Sequence, residues 1–135
     1  MAVGSRYLEC DTRSVASALS AASQAFTFVA LLSNGKVAPV SDNTTHPFGI
    51  LQDLGAVGEM VTVAQCGESK VRVNATDIAL GAVVGADSTG RAIALTPGTS
   101  TGFYAVGRVT QIDNADNDGA LVTVRFDCTI PNRNL

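Results

Sequence analysis

Residues 26–40 read FTFVALLSNGKVAPV, and residues 88–95 read STGRAIAL. In the first stretch Phe26–Leu32 is aromatic and β-branched enough for a strand, Ser33-Asn34-Gly35-Lys36 turns it, and Lys36–Val40 returns. Asn-Gly favours such a hairpin because a type I′ turn needs positive φ at both central residues. Pro39 marks an edge or an end of the return strand. The second stretch repeats the device, with Ser88-Thr89-Gly90-Arg91 placed before Ala92-Ile93-Ala94-Leu95. The parallel continues: Phe48-Gly49-Ile50-Leu51 matches Val106-Gly107-Arg108-Val109, and the run from Gly58 to Val63 matches Gly119 to Val124. Gly35 and Gly90 stand 55 positions apart, Gly49 and Gly107 58, Gly58 and Gly119 61. Each step absorbs three residues where loops belong. Chance recurrence in a biased composition is the competing explanation, but recurrence in order favours a duplication.

Further strands are expected at Phe48–Gln52, Glu59–Cys66, Lys70–Asn74, Arg91–Leu95, Tyr104–Gln111 and Ala120–Asp127. In the last of these Val122, Val124 and Phe126 share one face, while Leu121, Thr123 and Arg125 share the other. The fold class that follows is all-β: a small β-barrel or sandwich of many short strands, with an internal duplication and an N-terminal arm or short helix. The arm covers residues 1–25 and the β domain 26–135, with repeat halves at about 29–66 and 84–128. Val15, Ala18, Leu19 and Ala22 fall at helical spacing, so a weak helix is one expectation for the arm and an extended chain the other. An arm that orders on contact and a frayed terminus both fit its composition.

Alanine, valine, glycine, threonine and serine fill 71 of 135 positions, which suits small, closely packed strands. Nine basic residues against twelve acidic give a net charge of -3, which argues against phosphate-driven nucleic-acid binding. With 46% hydrophobic residues the chain is too apolar for intrinsic disorder. No run approaches the ~18 consecutive apolar residues of a membrane helix. Glu9, Asp11 and interrupting serines make a secretory signal a poor reading of the first 25 residues.

The chemistry-bearing residues are sparse. Cys10, Cys66 and Cys128 form no Cys-x-x-Cys pair, and their odd number suits small apolar side chains in a reducing compartment. His46 is the single histidine, which leaves little material for a Ser-His-Asp triad or a His-rich metal site. Asn114-x-Asp116-x-Asp118-Gly119 approaches the opening of a calcium loop, but position twelve is Arg125 where a bidentate glutamate belongs. Self-capping Asp/Asn side chains in a hairpin loop account for it better. The run from Thr96 to Gly102 lacks the lysine of a phosphate-binding loop. Asn43-Thr44-Thr45 and Asn74-Ala75-Thr76 are formal glycosylation sequons that matter only after export. No catalytic, cofactor-binding or metal-ligating residue is singled out, and no enzyme is expected.

The run from Val29 to Val73, followed by the spaced blocks GAVVGADSTGRAI, YAVGRV and GALVTVRFD, resembles bacteriophage capsid decoration (cement) proteins. The shared pattern is a strand, a G-[KR] hairpin, a short [FV]-G-[IV] strand and a glycine followed by V-x-V. To these is added a G-x-x-V-G-x-D-x-x-G-[KR] stretch, here Gly81 to Arg91. The resemblance covers about Phe26 to Asp127. It implies a non-enzymatic virion protein, made in the host cytoplasm, that binds the outer surface of the expanded head in many copies. Such proteins stabilise the head against internal DNA pressure. It further implies a homotrimer, the major capsid protein as partner, and no nucleic-acid, membrane or cofactor requirement. Arg6, Tyr7 and Leu8 are the expected capsid or neighbour contacts; Tyr7 and Leu8 are equally suited to anchoring the first strand. The alternative is another phage structural or host-surface module, such as a head-fibre or vertex component or a glycan binder. A glycan binder usually stacks aromatic rings on sugars, and tryptophan is absent here.

Overall fold

A computed structural model of the chain describes residues 8–42, 44–74, 78–96, 102–112 and 120–130. Among the described residues nine strands make one antiparallel sheet: β1 Leu8–Ser14, β2 Phe28–Leu31, β3 Val37–Pro39, β4 Gly49–Leu51, β5 Met60–Arg72, β6 Val83–Ala86, β7 Ala92–Ala94, β8 Gly107–Ile112 and β9 Leu121–Asp127. Eight follow the order β3-β2-β4-β5-β9-β8-β6-β7, and β1 pairs with β5 beside that path. The chain is all-β as expected; the helical element among the described residues is a 3₁₀ turn at Ala22–Gln24.

The order reads the same from either end, and the register makes the duplication explicit. Val29 pairs with Pro39 on one side and Gly49 on the other; Val84 pairs in the same way with Ala94 and Gly107. Leu51 faces Val63 as Val109 faces Val124. The offsets in space are therefore the 55, 58 and 61 residues found between the glycines. Both hairpin glycines, Gly35 and Gly90, adopt φ of +82°.

The equivalence extends beyond residues 29–66 and 84–128. Thr12 faces Thr62 and Arg13 faces Val61, while Lys70 faces Thr123 and Val71 faces Val122. Strand β1 is thus the counterpart of the second half of β5. The backbone bonds that follow match one for one. Val15 N–H donates to the Glu59 carbonyl and Ala16 N–H to that of Val37, at 2.9 and 2.8 Å; Val73 donates to Ala120 and Asn74 to Ala92, both at 2.9 Å. The segment expected as an arm is, from Leu8 onward, the first strand of the first repeat. Val15 and Leu19 are fully buried, so they close a core instead of lining one face of a helix. No α-helix forms over Val15–Ala22.

The repeats pack face to back, which decides where the core lies. One side of the first repeat carries Val29, Val37, Leu51, Val61 and Val63, sealed by its own Val15 and Leu19. Their counterparts Val84, Ala92, Val109, Val122, Val124 and Val73 lie in the main core. There they meet the other side of the first repeat, Phe28, Ala30, Val40, Ile50 and Ala64. The counterparts of that side in the second repeat are Val83, Gly85, Leu95, Arg108 and Arg125; none joins the main core, and while Gly85 and Leu95 are buried, Val83 is half-buried and both arginines are exposed. One bulge in β5 makes this possible. The β1 register jumps from Cys66 to Ala64, and one extra residue reverses which side every later side chain takes.

Two strand readings change. Glu59–Cys66 and Lys70–Asn74 are parts of one strand, β5, continuous through Gly67 at φ +117°. Val83–Ala86, expected only as part of the glycine-spaced stretch, is strand β6.

Candidate interaction surface

The connection from β4 to β5 exposes three large apolar side chains within seven residues: Leu54, Val57 and Met60, at 40, 64 and 60%. Large side chains exposed together in a small apolar-cored protein mark contact surfaces. The backbone beneath them is held from several directions. Ala56–Glu59 is a turn in which Glu59 N–H donates to the Ala56 carbonyl at 3.0 Å, with Gly58 at φ +87° in the position where a type II turn wants glycine. The Glu59 carboxylate accepts from Ala56 N–H at 2.7 Å. Leu19 and Gly55 exchange two backbone bonds, and Gly58 N–H donates to the Val15 carbonyl at 2.9 Å. Asp53 accepts from Thr62 N–H at 2.6 Å. The N-terminal segment therefore clamps the turn, and the apolar tip is organised before any partner arrives, which lowers the ordering penalty of binding.

The matching connection in the second repeat contains Asp113, Asp116 and Asp118. Residues 113–119, including the calcium-loop candidate, lie outside the described residues, as do Arg6, Tyr7, Asn43 and most of the 96–102 loop. Leu8 opens β1 opposite Gly67 and is 36% exposed, on the same strand that leads to the clamp. The tip residues carry no motif; isolated apolar residues in a glycine-rich loop read as core until the tertiary fold places them outside.

The remaining candidates resolve structurally. His46 and Tyr104 occupy equivalent positions of the two repeats, 58 residues apart, and their rings meet at 5.1 Å between centroids, tilted by 59°. Nε2 of His46 is buried without a hydrogen-bond partner among the described residues. This desolvation holds the imidazole pKa below its usual 6.5, against a hydrogen bond to the Ile130 backbone. Folded protein therefore takes up the His46 proton less readily than unfolded chain, and stability falls as pH drops from about 6.5 toward the lowered value. Melting temperatures from pH 7.5 to 5.5 are expected to fall in the native protein and to flatten in His46→Phe. Equal slopes would assign the effect elsewhere.

The three cysteines are free, and the fold gathers them despite their separation in sequence. Cys66 faces Glu9 and Asp127 across its two neighbouring strands. Burial raises the pKa of all three thiols, most strongly that of Cys128, and the nearby carboxylates add to the rise at Cys66 and Cys128. Raised thiol pKa values disfavour the thiolate that nucleophilic chemistry or metal binding requires. Among the described residues no group of three or more Cys, His, Asp or Glu is arranged to hold a metal.

No protein-family model matches the chain, and no curated protein matches it in sequence. Among solved structures its fold is similar to that of a phage head-fibre protein. One similar structure is the crystal structure of the head fibre gp8.5 N base of bacteriophage phi29, with a TM-score of 0.61 and 17% identity. The match covers 90% of this chain and 96% of that one.

Proposed function

We propose that the protein is a structural component of a phage virion, a non-catalytic β module seated on the outer surface of the head. The observation that carries this reading is the two-way coverage of the fold match. Nearly the whole of this chain corresponds to nearly the whole of a module that forms the base of a head fibre. The major capsid protein is the partner, and the clamped tip at Leu54, Val57 and Met60 is the contact this reading assigns to it. The sequence resemblance to decoration proteins favours a second, finer role, in which many copies, as trimers, brace the expanded shell. A ligand that binds only the expanded lattice stabilises that lattice by mass action, and many modest contacts add through avidity.

The test uses heads that lack the protein, purified full-length chain and sedimentation. The native chain is expected to pellet with the heads. Val57→Asp with Met60→Asp leaves the fold within about 0.5 kcal/mol, because both sites are exposed, and is expected to weaken co-sedimentation at least tenfold. Unchanged co-sedimentation of the double variant would remove the tip from the contact, and failure of the native chain to pellet would remove the head as partner.

A further inference from the structure

Among the described residues, the face-to-back packing leaves part of one side of the second repeat, around Val83, Arg108 and Arg125, without the cover that its counterpart has, while Gly85, Leu95 and Thr123 on that side are buried. In the first repeat that side holds Phe28, Ile50 and Ala64, all fully buried beneath the second repeat. In the second repeat the same positions are Val83, Arg108 and Arg125, and both arginines are exposed. Register places the side chains in a row across four strands, Glu68 on β5, Arg125 on β9, Arg108 on β8 and Val83 on β6. Two guanidinium groups directly opposite each other on adjacent strands repel. Glu68 lies on the far side of Arg125, so Arg108 has a like charge on one flank and an apolar residue on the other. Beside this row runs a groove of about 450 Å³ whose wall includes Ala105, Gly107, Arg108, Asp127 and Ile130. Asp127 is occupied in accepting from the backbone and hydroxyl of Thr129, and Ile130 is 68% exposed.

We infer that this outer side of the second repeat is a docking site for an acidic peptide segment of a partner protein. Its carboxylates would sit on Arg108 and Arg125 and its next apolar residue in the groove against Val83 and Ile130. Charge complementarity selects the occupant. Arginine forks recognise carboxylates in two-point fashion, and the row changes from cationic to apolar within one strand spacing. A second copy of the repeat does not fit the side as the second repeat fits the first, because arginines stand where isoleucine and alanine make that contact.

The experiment needs no phage particle, so its outcome is independent of the head-binding reading. A fluorescein-labelled decapeptide with three glutamates followed by leucine and valine is titrated with full-length protein. The same peptide with glutamine for glutamate, and a heparin fragment, are run beside it. The acidic peptide is expected to bind, and the glutamine peptide at least tenfold more weakly. Arg108→Gln with Arg125→Gln is expected to weaken acidic-peptide binding about tenfold, while Lys36→Gln, which removes a distant exposed charge, leaves it within twofold. If the double variant misfolds by thermal melting, Arg108→Lys with Arg125→Lys replaces it, with an expected loss of three- to fivefold from the missing fork geometry. Equal binding of either arginine variant, equal binding of the glutamine peptide, or tighter binding of heparin at the same arginines would each overturn the assignment.

Discussion

Phe28→Ala is expected to destabilise the protein by about 3–5 kcal/mol, the range for removing a buried aromatic ring from a packed core. The same truncation at the equivalent residue, Val83→Ala, is expected to change stability by less than about 1 kcal/mol, as for other substitutions outside a core. Phe28 is fully buried in the main core, whereas Val83 is half-buried at the edge of an open groove. Two positions related by the duplication thus have opposite fates because the repeats stack face to back. Paired urea unfolding of the two variants reads this directly. Similar losses at both sites would mean that Val83 is as firmly packed as Phe28.

The second large effect falls on a pair for which the repeats agree. A Cβ at Gly49 would stand 2.3 Å from the Ala64 carbonyl oxygen, and one at Gly107 would stand 2.3 Å from that of Arg125. The obstacle is neighbouring backbone, which a rotamer change cannot relieve. Gly49→Val and Gly107→Val are each expected to lose about 3 kcal/mol or more, at the upper end of overpacking penalties. Gly58→Ala provides the contrast: its surroundings are open, so only the left-handed backbone penalty of about 1–2 kcal/mol applies. Equal, small losses at all three glycines would show that the strands can separate at Gly49 and Gly107 without disturbing the core.

These glycines also explain why the duplication is legible in the sequence. Gly35 and Gly90 are needed for positive φ, and Gly49 and Gly107 for close strand approach, so both copies keep them while the residues between diverge. The V-T-V strands keep their alternation for a similar reason, since each must present valines to a core. Strand β1 is illegible because Leu8–Ser14 is mostly polar, and its place is fixed by pairing with β5. Thr12 and its counterpart Lys70 share register and no chemistry. Gly67-Glu68-Ser69 has the composition of a turn, yet glycine there lets β5 bend without ending. The apolar tip and the arginine row are harder still. Arg108 and Arg125 occupy slots filled by Ile50 and Ala64, and only the stacking of the repeats shows that one pair is covered and the other exposed.

The most direct test of the account is the copy number of this chain in purified phage particles, measured by quantitative mass spectrometry against the major shell protein. A structural protein of the head surface is expected at tens to hundreds of copies per particle, with release under mild destabilisation before the shell itself fails. Absence of the chain from particles would contradict the account.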